Sequence, residues 1–545
     1  MSQNTSQALS AEAQLEEIHD FKGKYPRQLW SLFFSEMWER FCFYGMRGVL
    51  TYFMITHLVL ENGMHMGEKQ ANLQYGATQA FVYAFTFIGG LFADKILGFR
   101  KSLFWGGLLM IAGSLILAAD PFPEHNFFLG ISFTVIGTGF FKPNISTMVG
   151  MLYRGNDPRR DAGFSLFYSG INIGALLGGY ACIAIGKGQL LGGVVPEQYR
   201  WNVAFGLAAV AMTISLINFL FTRKKLGPIG LSPFKTPALY TDVPQPASFE
   251  TLKTKPGEVS RDVPRGKKWY EYATYIGSLA IVPVIMTMVA KPEYTDWFMY
   301  IVGPLTLVYL FYEMTKVSKP EAKKLGAALI FILFSILFWA FFEQSGGSLS
   351  IFAAHNLNDK LLGVIPADPN GVNNAANSLF VIIFAPLFGL VWLAMARKKI
   401  EPNTVVKFGL GFLFLGAAFF VFFSTRFFAN AAGIASLDVF AIAYLVVTFG
   451  ELCLSPIGLS IMTKLSPQKL QGVMMGMWFL ASAYGQYVAG LLGAGLAEAG
   501  ENDAPMQKLI TYTEGYKQLG IYAIIAGVAL IAISPLVRKL MGDVK

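Results

Sequence analysis

The sequence predicts an all-α polytopic membrane protein with fourteen transmembrane helices, two bundles of six and two additional helices between them. Three observations carry this. The 545 residues are 54% hydrophobic and only 14% charged, where a soluble chain carries about a quarter charged residues. Apolar runs of roughly 18 residues or more, the length that crosses a hydrocarbon core, recur along almost the whole chain. The basic residues gather in alternate short connections, where they act as topology signals.

Residues 1–27 are polar and mixed in charge, without the basic start, apolar core and small-residue cleavage site of a secretion signal, and form a tail expected in the cytoplasm. Six apolar runs follow near 28–57, 71–95, 101–119, 127–152, 161–186 and 200–222, giving an N-terminal bundle over 28–222. Residues 223–266 are rich in Pro, Lys and Thr, contain no spanning run and read as a cytoplasmic linker. The runs near 268–291 and 296–315 make two extra helices within 267–316. Six more, near 325–354, 374–396, 405–425, 435–463, 469–497 and 516–537, make a C-terminal bundle over 317–545.

Loop charge tests that count. Alternate connections hold Lys95, Arg100 and Lys101; Arg154, Arg159 and Arg160; Arg223, Lys224 and Lys225; Lys316, Lys319, Lys323 and Lys324; Arg397, Lys398 and Lys399; Lys464 and Lys469; and finally Arg538 and Lys539. The intervening loops are poor in both residues, so both termini are expected in the cytoplasm. The net charge of +9 is thereby spent on topology, and no nucleic-acid partner is expected. Cys42, Cys182 and Cys453 lie singly within apolar runs and read as small buried residues.

Within the first run, Glu36, Glu39, Arg40 and Arg47 stand at i, i+3, i+4 and i+11, one face of a helix. Each ionised side chain at mid-membrane costs at least about 2.5 to 3.5 kcal/mol, so such charges face a water-filled path, a partner or a substrate. The other intramembrane charges are Lys142 in the fourth run, and Glu343 and Glu451 in the first and fourth runs of the second six. If each six is two repeats of three, every buried charge falls on the first helix of a repeat. Inverted three-helix repeats with a binding site at their interface are the architecture of the major facilitator superfamily. The stretch Gly90-Leu91-Phe92-Ala93-Asp94-Lys95 through Arg100-Lys101 resembles that superfamily's loop between helices two and three. Four carboxylates against three cations leave the set one proton short of balance, which points to the proton as coupling ion.

The segment Glu36-x-x-Glu39-Arg40-Phe41-x-x-Tyr44-Gly45 resembles the ExxERFxYYG signature of the proton-dependent oligopeptide transporters, the POT or PTR family. Phe167-Tyr168-x-x-Ile171-Asn172-x-Gly174 resembles its FYxxINxG pattern. Gly139-Phe140-Phe141-Lys142-Pro143-Asn144, Phe342-Glu343-Gln344 and Gly450-Glu451 through Ser455-Pro456 also match, in order, over about residues 28–540. The two inserted helices are a feature of the bacterial members, which implies a bacterial inner membrane. The resemblance implies a monomeric proton symporter for di- and tripeptides, with no cofactor besides the proton.

It also implies roles. Arg40, Arg47 and Lys142, with Tyr44 beside them, occupy the positions for a peptide's carboxylate, Glu451 that for its amine, and Asn172 and Asn377 those for its backbone. Tyr83, Trp339, Ser455 and Trp478 match cavity-lining positions. Glu36 and Glu39 are implied in proton-linked pairing with Arg40 and Lys142. Two gating salt bridges are implied, Arg47–Glu343 at the outer end and Lys142–Glu451 at the inner end, with Pro143 and Pro456 bending the gating helices. Phe43 stands where the family usually has tyrosine, so one hydroxyl is missing at the carboxylate end, and Asn377 is followed by Ser378-Leu379-Phe380 instead of proline.

Two other readings stay open. The same fold could carry nitrate or a peptide-like compound, although a buried Glu451 would repel a simple anion. A membrane peptide sensor would need a signalling domain, and both tails are short. Catalysis has no visible residues: there is no HExxH, GxSxG or Walker A pattern, and the five histidines do not cluster.

Overall fold

A computed structural model describes residues 11–60, 62–119, 124–154, 157, 159–232, 268–454, 458–467, 470–498, 504–542 and 544. A short α1 (Ala11–His19) precedes six long helices, α2 (Arg27–Thr56), α3 (Glu68–Phe92), α4 (Phe99–Ala118), α5 (Glu124–Met151), α6 (Arg160–Gly186) and α7 (Arg200–Thr222). The inserted pair is α8 (Lys268–Ala280) continued at a bend by α9 (Val282–Ala290), and then α10 (Pro292–Met314). The second six begins with α11 (Lys319–Phe342), broken from α12 (Ser348–Asn356) by the 3₁₀ turn Glu343–Gly346. A two-residue hairpin, β1 (Lys360–Leu361) and β2 (Ile365–Pro366), leads to α13 (Pro369–Arg397) and α14 (Thr404–Ser424). α15 (Leu437–Leu454) and α16 (Gly458–Leu465) form the fourth span, α17 (Gln471–Glu498) the fifth and α18 (Pro505–Ala532) the sixth, before a short α19 (Ser534–Met541). Among the described residues, eleven spans combine the length and apolarity to cross a membrane. The others, α2, α5 and α17, are equally long but more polar, and α2 and α5 carry Glu36, Glu39, Arg40, Arg47 and Lys142.

Local chemistry explains the helix starts. Asp368 accepts a hydrogen bond from Gly371 N at 2.8 Å, and Asn403 accepts from Val405 N at 3.0 Å and Val406 N at 3.1 Å, so side chains satisfy donors that the first turn leaves open. Glu321 accepts from Ser318 N at 3.0 Å at the start of α11. Two runs predicted as continuous, 325–354 and 268–291, are interrupted. Gly346 and Gly347 follow Glu343 in the first, and Pro283 follows the bend in the second. Glycine weakens a helix interior and proline removes a backbone donor. α18 starts at Pro505 and not near 516, because Lys508 finds Glu68, and Glu514 finds Arg426 and Lys517. Most of the predicted linker, 233–267, lies outside the described residues. Its beginning turns back, and Arg100 donates from Nε and Nη2 to Ile229 O and Gly227 O, both at 2.6 Å.

Each bundle has its own apolar core. Val282, Ile285 and Val289 of α9 join the first, and Leu310 of α10 joins the second. The inserted pair therefore straddles the joint between bundles. Trp105 Nε1 donates to Ser278 Oγ at 2.9 Å on one side, and Tyr487 OH donates to Asp296 Oδ1 at 2.5 Å on the other. The outer face of α10 exposes Tyr294, Trp297 and Tyr300 near one end and Tyr309 and Tyr312 near the other, where aromatic rings meet the two membrane interfaces.

The bundles are tied at the end away from α1. Lys187 Nζ lies 2.9 Å from Asp368 Oδ2 and donates to Asn370 Oδ1 at 2.8 Å. Burial holds the Lys187 ammonium below the ordinary lysine range even though Asp368 pulls the other way. Glu68 of α3 pairs with Lys508 and accepts from Tyr512 OH at 2.9 Å on α18, with His355 Nε2 at 3.3 Å. Thr51 Oγ1 donates to Gly346 O.

Helices approach closely through glycine. A Cβ on Gly76 would lie 2.7 Å from Gly490 Cα across the α3–α17 joint, and one on Gly139 would lie 2.6 Å from Phe85 O between α5 and α3. Gly139→Leu is therefore expected to cost about 1–3 kcal/mol by overpacking, read as a lower midpoint in detergent thermal unfolding. Gly206→Leu, whose nearest neighbour would be Ala118 Cβ at 3.9 Å, should leave the midpoint unchanged.

Candidate functional site

The charged face of α2 lies between the bundles and divides into two groups. In the first, Arg40 is shared by two carboxylates. Its Nε lies 3.1 Å from Glu36 Oε1, its Nη2 donates to Glu39 Oε1 at 2.7 Å, and Nε also bonds Glu39 Oε2. All three residues are buried, at 1%, 0% and 1% exposure for Glu36, Glu39 and Arg40, so their charges have little help from water and must satisfy each other. Glu36 Oε2 is buried with no hydrogen-bond partner among the described residues. Gly174 of α6 lets α2 come this close, since a Cβ there would sit 2.9 Å from Arg40 Cβ.

Lys142 reaches the same region from α5, near enough to feel Arg40, Glu39, Glu36 and Arg47 electrostatically. It makes no ion pair among the described residues, and its Nζ lies 4.5 Å from the centre of the Tyr83 ring. Of the expected partners of Glu36 and Glu39, Arg40 is in contact and Lys142 is not, the guanidinium offering a planar fork where lysine offers a point charge. Phe43 lies under that guanidinium, 5.3 Å from ring centre to Arg40 Cζ, and meets Tyr44 edge-on.

The second group is two turns further along α2. Arg47 Nη2 pairs with Glu343 Oε2, and Arg47 Nε donates to Tyr75 OH at 2.7 Å. The ring of Tyr44 lies 5.6 Å from Arg47 Cζ. Glu343 is presented by the break between α11 and α12, where Gly346 makes room for Tyr75. Tyr75 was not among the residues expected from the sequence, since one tyrosine in an aromatic-rich chain carries no local signal.

Glu451 of α15 stands between α13 and α6. Asn377 Nδ2 donates to its Oε2 at 2.9 Å and Tyr168 OH to its Oε1 at 3.3 Å. The expected Lys142–Glu451 bridge is not formed in this conformation, because two neutral donors occupy the carboxylate. Tyr168 belongs to the FYxxINxG pattern, and its place on Glu451 requires α6 to face α15. Asn172 Nδ2 turns back to Tyr168 O at 3.0 Å, so this asparagine caps its own helix turn here. The buried indole N–H of Trp339 has no partner among the described residues, and Trp478 is buried against Gly458. Ser455 and Pro456 lie outside the described residues, and Pro143 sits within a continuous α5.

Two bundles that enclose ionisable side chains, one of them at a helix break, and that are tied to each other at one end define a secondary membrane transporter. Comparison with known proteins narrows this. The family model described as POT family matches residues 100–508. The chain is 33% identical to "Peptide transporter YePEPT" of Yersinia enterocolitica over 86% of its length and 88% of the relative's. It is 31% identical to "Di-/tripeptide transporter" of Lactococcus lactis subsp. cremoris, covering 95% and 97% of the two chains. The solved structure of a peptide transporter POT in complex with sulfate superposes with a TM-score of 0.76 at 31% identity, covering 98% of this chain and all of that one. The protein belongs to the POT family of the major facilitator fold.

Tyr75→Phe would leave the Arg47 Nε without its acceptor in a mostly buried pair. The expected loss is about 1–3 kcal/mol, read as a lower thermal midpoint, whereas Tyr272→Phe on the exposed face of α8 should have no effect.

Proposed function

We propose that the protein imports di- and tripeptides together with protons by alternating access, acting as a transporter and not as an enzyme. One observation carries the substrate class. Among the described residues Glu451 is held by neutral donors and Lys142 makes no ion pair, so the site keeps one carboxylate and one ammonium without a direct ionic partner. A zwitterion with its amine toward Glu451 and its carboxylate toward Lys142, Arg40 and Arg47 satisfies both. Nitrate would neutralise Lys142 and leave Glu451 buried and unpaired, which disfavours the simple-anion reading. The relatives' names, peptide transporter and di-/tripeptide transporter, support the same substrate.

Asn377 and Asn172 flank the peptide backbone, and Tyr44, Tyr83, Trp339 and Trp478 line the side-chain space. Glu36 and Glu39 share one guanidinium, and the free Glu36 Oε2 is a place for a proton. The Arg47–Glu343 pair closes the end away from α1. Protonation of Glu343 releases Arg47 to the peptide carboxylate, and loss of that proton re-forms the pair. With the basic loops in the cytoplasm of a bacterial inner membrane, both termini are inside, the closed end is outside, and a monomer holds every group required. A Lys142–Glu451 bridge forms when the empty carrier closes its inner end, once Asn377 and Tyr168 release the carboxylate.

The test is uptake of labelled dialanine into proteoliposomes with an acid-outside gradient. Accumulation that a protonophore abolishes is expected, with competition by unlabelled di- and tripeptides and none by nitrate. No uptake, or uptake indifferent to the protonophore, removes the reading. Glu343→Gln is expected to lower gradient-driven accumulation by roughly tenfold or more, the scale of a buried charge pair, and normal accumulation by that variant removes the coupling role of Glu343.

A further inference from the structure

α13 carries asparagines at 370, 373, 374 and 377, which are i, i+3, i+4 and i+7 and therefore form one stripe. Each donates to a different element. Asn370 Nδ2 donates to Ser350 O at 2.7 Å on α12, Asn374 Nδ2 to Gly48 O at 3.0 Å on α2, and Asn377 Nδ2 to Glu451 on α15. Asn373 is 1% exposed and touches two elements together. Its Nδ2 donates to Ser345 O at 2.7 Å, inside the 3₁₀ turn that carries Glu343, and its Oδ1 accepts from Tyr444 OH at 2.5 Å on α15. The amide's orientation is forced, because a carbonyl cannot donate and so Nδ2 must face Ser345 O.

From Tyr444 the path continues one turn along α15. The Thr448 hydroxyl lies 2.8 Å from Tyr444 O and 2.7 Å from Asn377 Oδ1, and Asn377 holds Glu451. Tyr444 and Thr448 are 2% and 0% exposed, so water cannot replace these bonds when an element shifts. The turn bearing Glu343 and the helix bearing Glu451 are thus fastened to two asparagines one turn apart on the same helix.

Resting on the symport reading above, we propose that Asn373 is a positioning residue that couples the Glu343 turn to the Glu451 carboxylate through Tyr444, Thr448 and Asn377. When Arg47 leaves Glu343, the turn Glu343–Gly346 loses its tie to α2 and shifts. Asn373 transmits that shift to α15, so the orientation of the amine-binding carboxylate follows the state of the proton-linked pair. Asn373 touches neither peptide nor proton.

Asn373→Ala and Tyr444→Phe, singly and together, test this in proteoliposomes by two readouts: gradient-driven accumulation of dialanine, and peptide counterflow without a gradient. Each single variant is expected to lower accumulation about tenfold, the factor of one buried hydrogen bond, while counterflow stays within about twofold of the unmodified protein. The double variant should be no worse than the poorer single one, as members of one network behave. Parallel loss of both readouts, additive losses, or unchanged accumulation overturns the proposal. If Asn373→Ala does not fold, Tyr444→Phe decides by the same two readouts, since it deletes one hydroxyl and keeps the ring against Phe422 and Phe440. Failure of the unmodified protein to accumulate dialanine overturns the symport reading instead.

Discussion

The shared guanidinium of Arg40 is the constraint around which the rest is arranged. Two carboxylates and a guanidinium held almost completely away from water are unfavourable individually, and become tolerable only as a mutually bonded set. Bringing them together demands a close approach of α6 to α2, which Gly174 permits, and it fixes the rotation of α2 about its axis. That rotation in turn sends Arg47 toward the other bundle. The partner it meets there, Glu343, can reach it only because the helix carrying it is broken.

The site is therefore built from interruptions. A continuous helix through 343–347 would satisfy its own backbone and present Glu343 at a fixed angle. The Gly346-Gly347 pair removes that option, and the freed carbonyls of Ser345 and Gly346 accept from Asn373 and Thr51. Irregular backbone at membrane depth is tolerated where neighbours re-satisfy its polar groups. Here the neighbours come from both bundles, so the break is also a junction. The inserted pair α8–α10 spans the same junction from outside, with one arm in each core.

Much of this was legible along the chain. Spans, loop polarity and the charged face of α2 follow from hydropathy, the Lys/Arg alternation and helical spacing. The signature around Glu36, Glu39 and Arg40 and the patterns around Asn172, Lys142, Glu343 and Glu451 pointed to the cavity and its family. The asparagine stripe of α13 was equally visible at i, i+3, i+4 and i+7, yet only its last member was singled out. Tyr75, Tyr168, Lys187 with Asp368, and Glu68 with Lys508 escaped, because each partnership joins residues far apart in sequence on elements whose relative rotation no local pattern encodes.

By itself the sequence determined which segments cross the membrane, which helices carry charge and which family the motifs resemble. Those properties depend on composition and on a fixed helical period. Only the tertiary structure decided which of the implied pairs form in one conformation: Arg47 meets Glu343, and Lys142 does not meet Glu451. Glu36 and Glu39 both lie on Arg40, Lys142 makes no ion pair among the described residues, and Glu451 is held by Asn377 and Tyr168 where a lysine was expected. The reason is physical: in a medium that cannot screen, an ion pair exists only where geometry brings the groups within a few ångströms. That geometry is set by glycine contacts and helix breaks acting across both bundles at once.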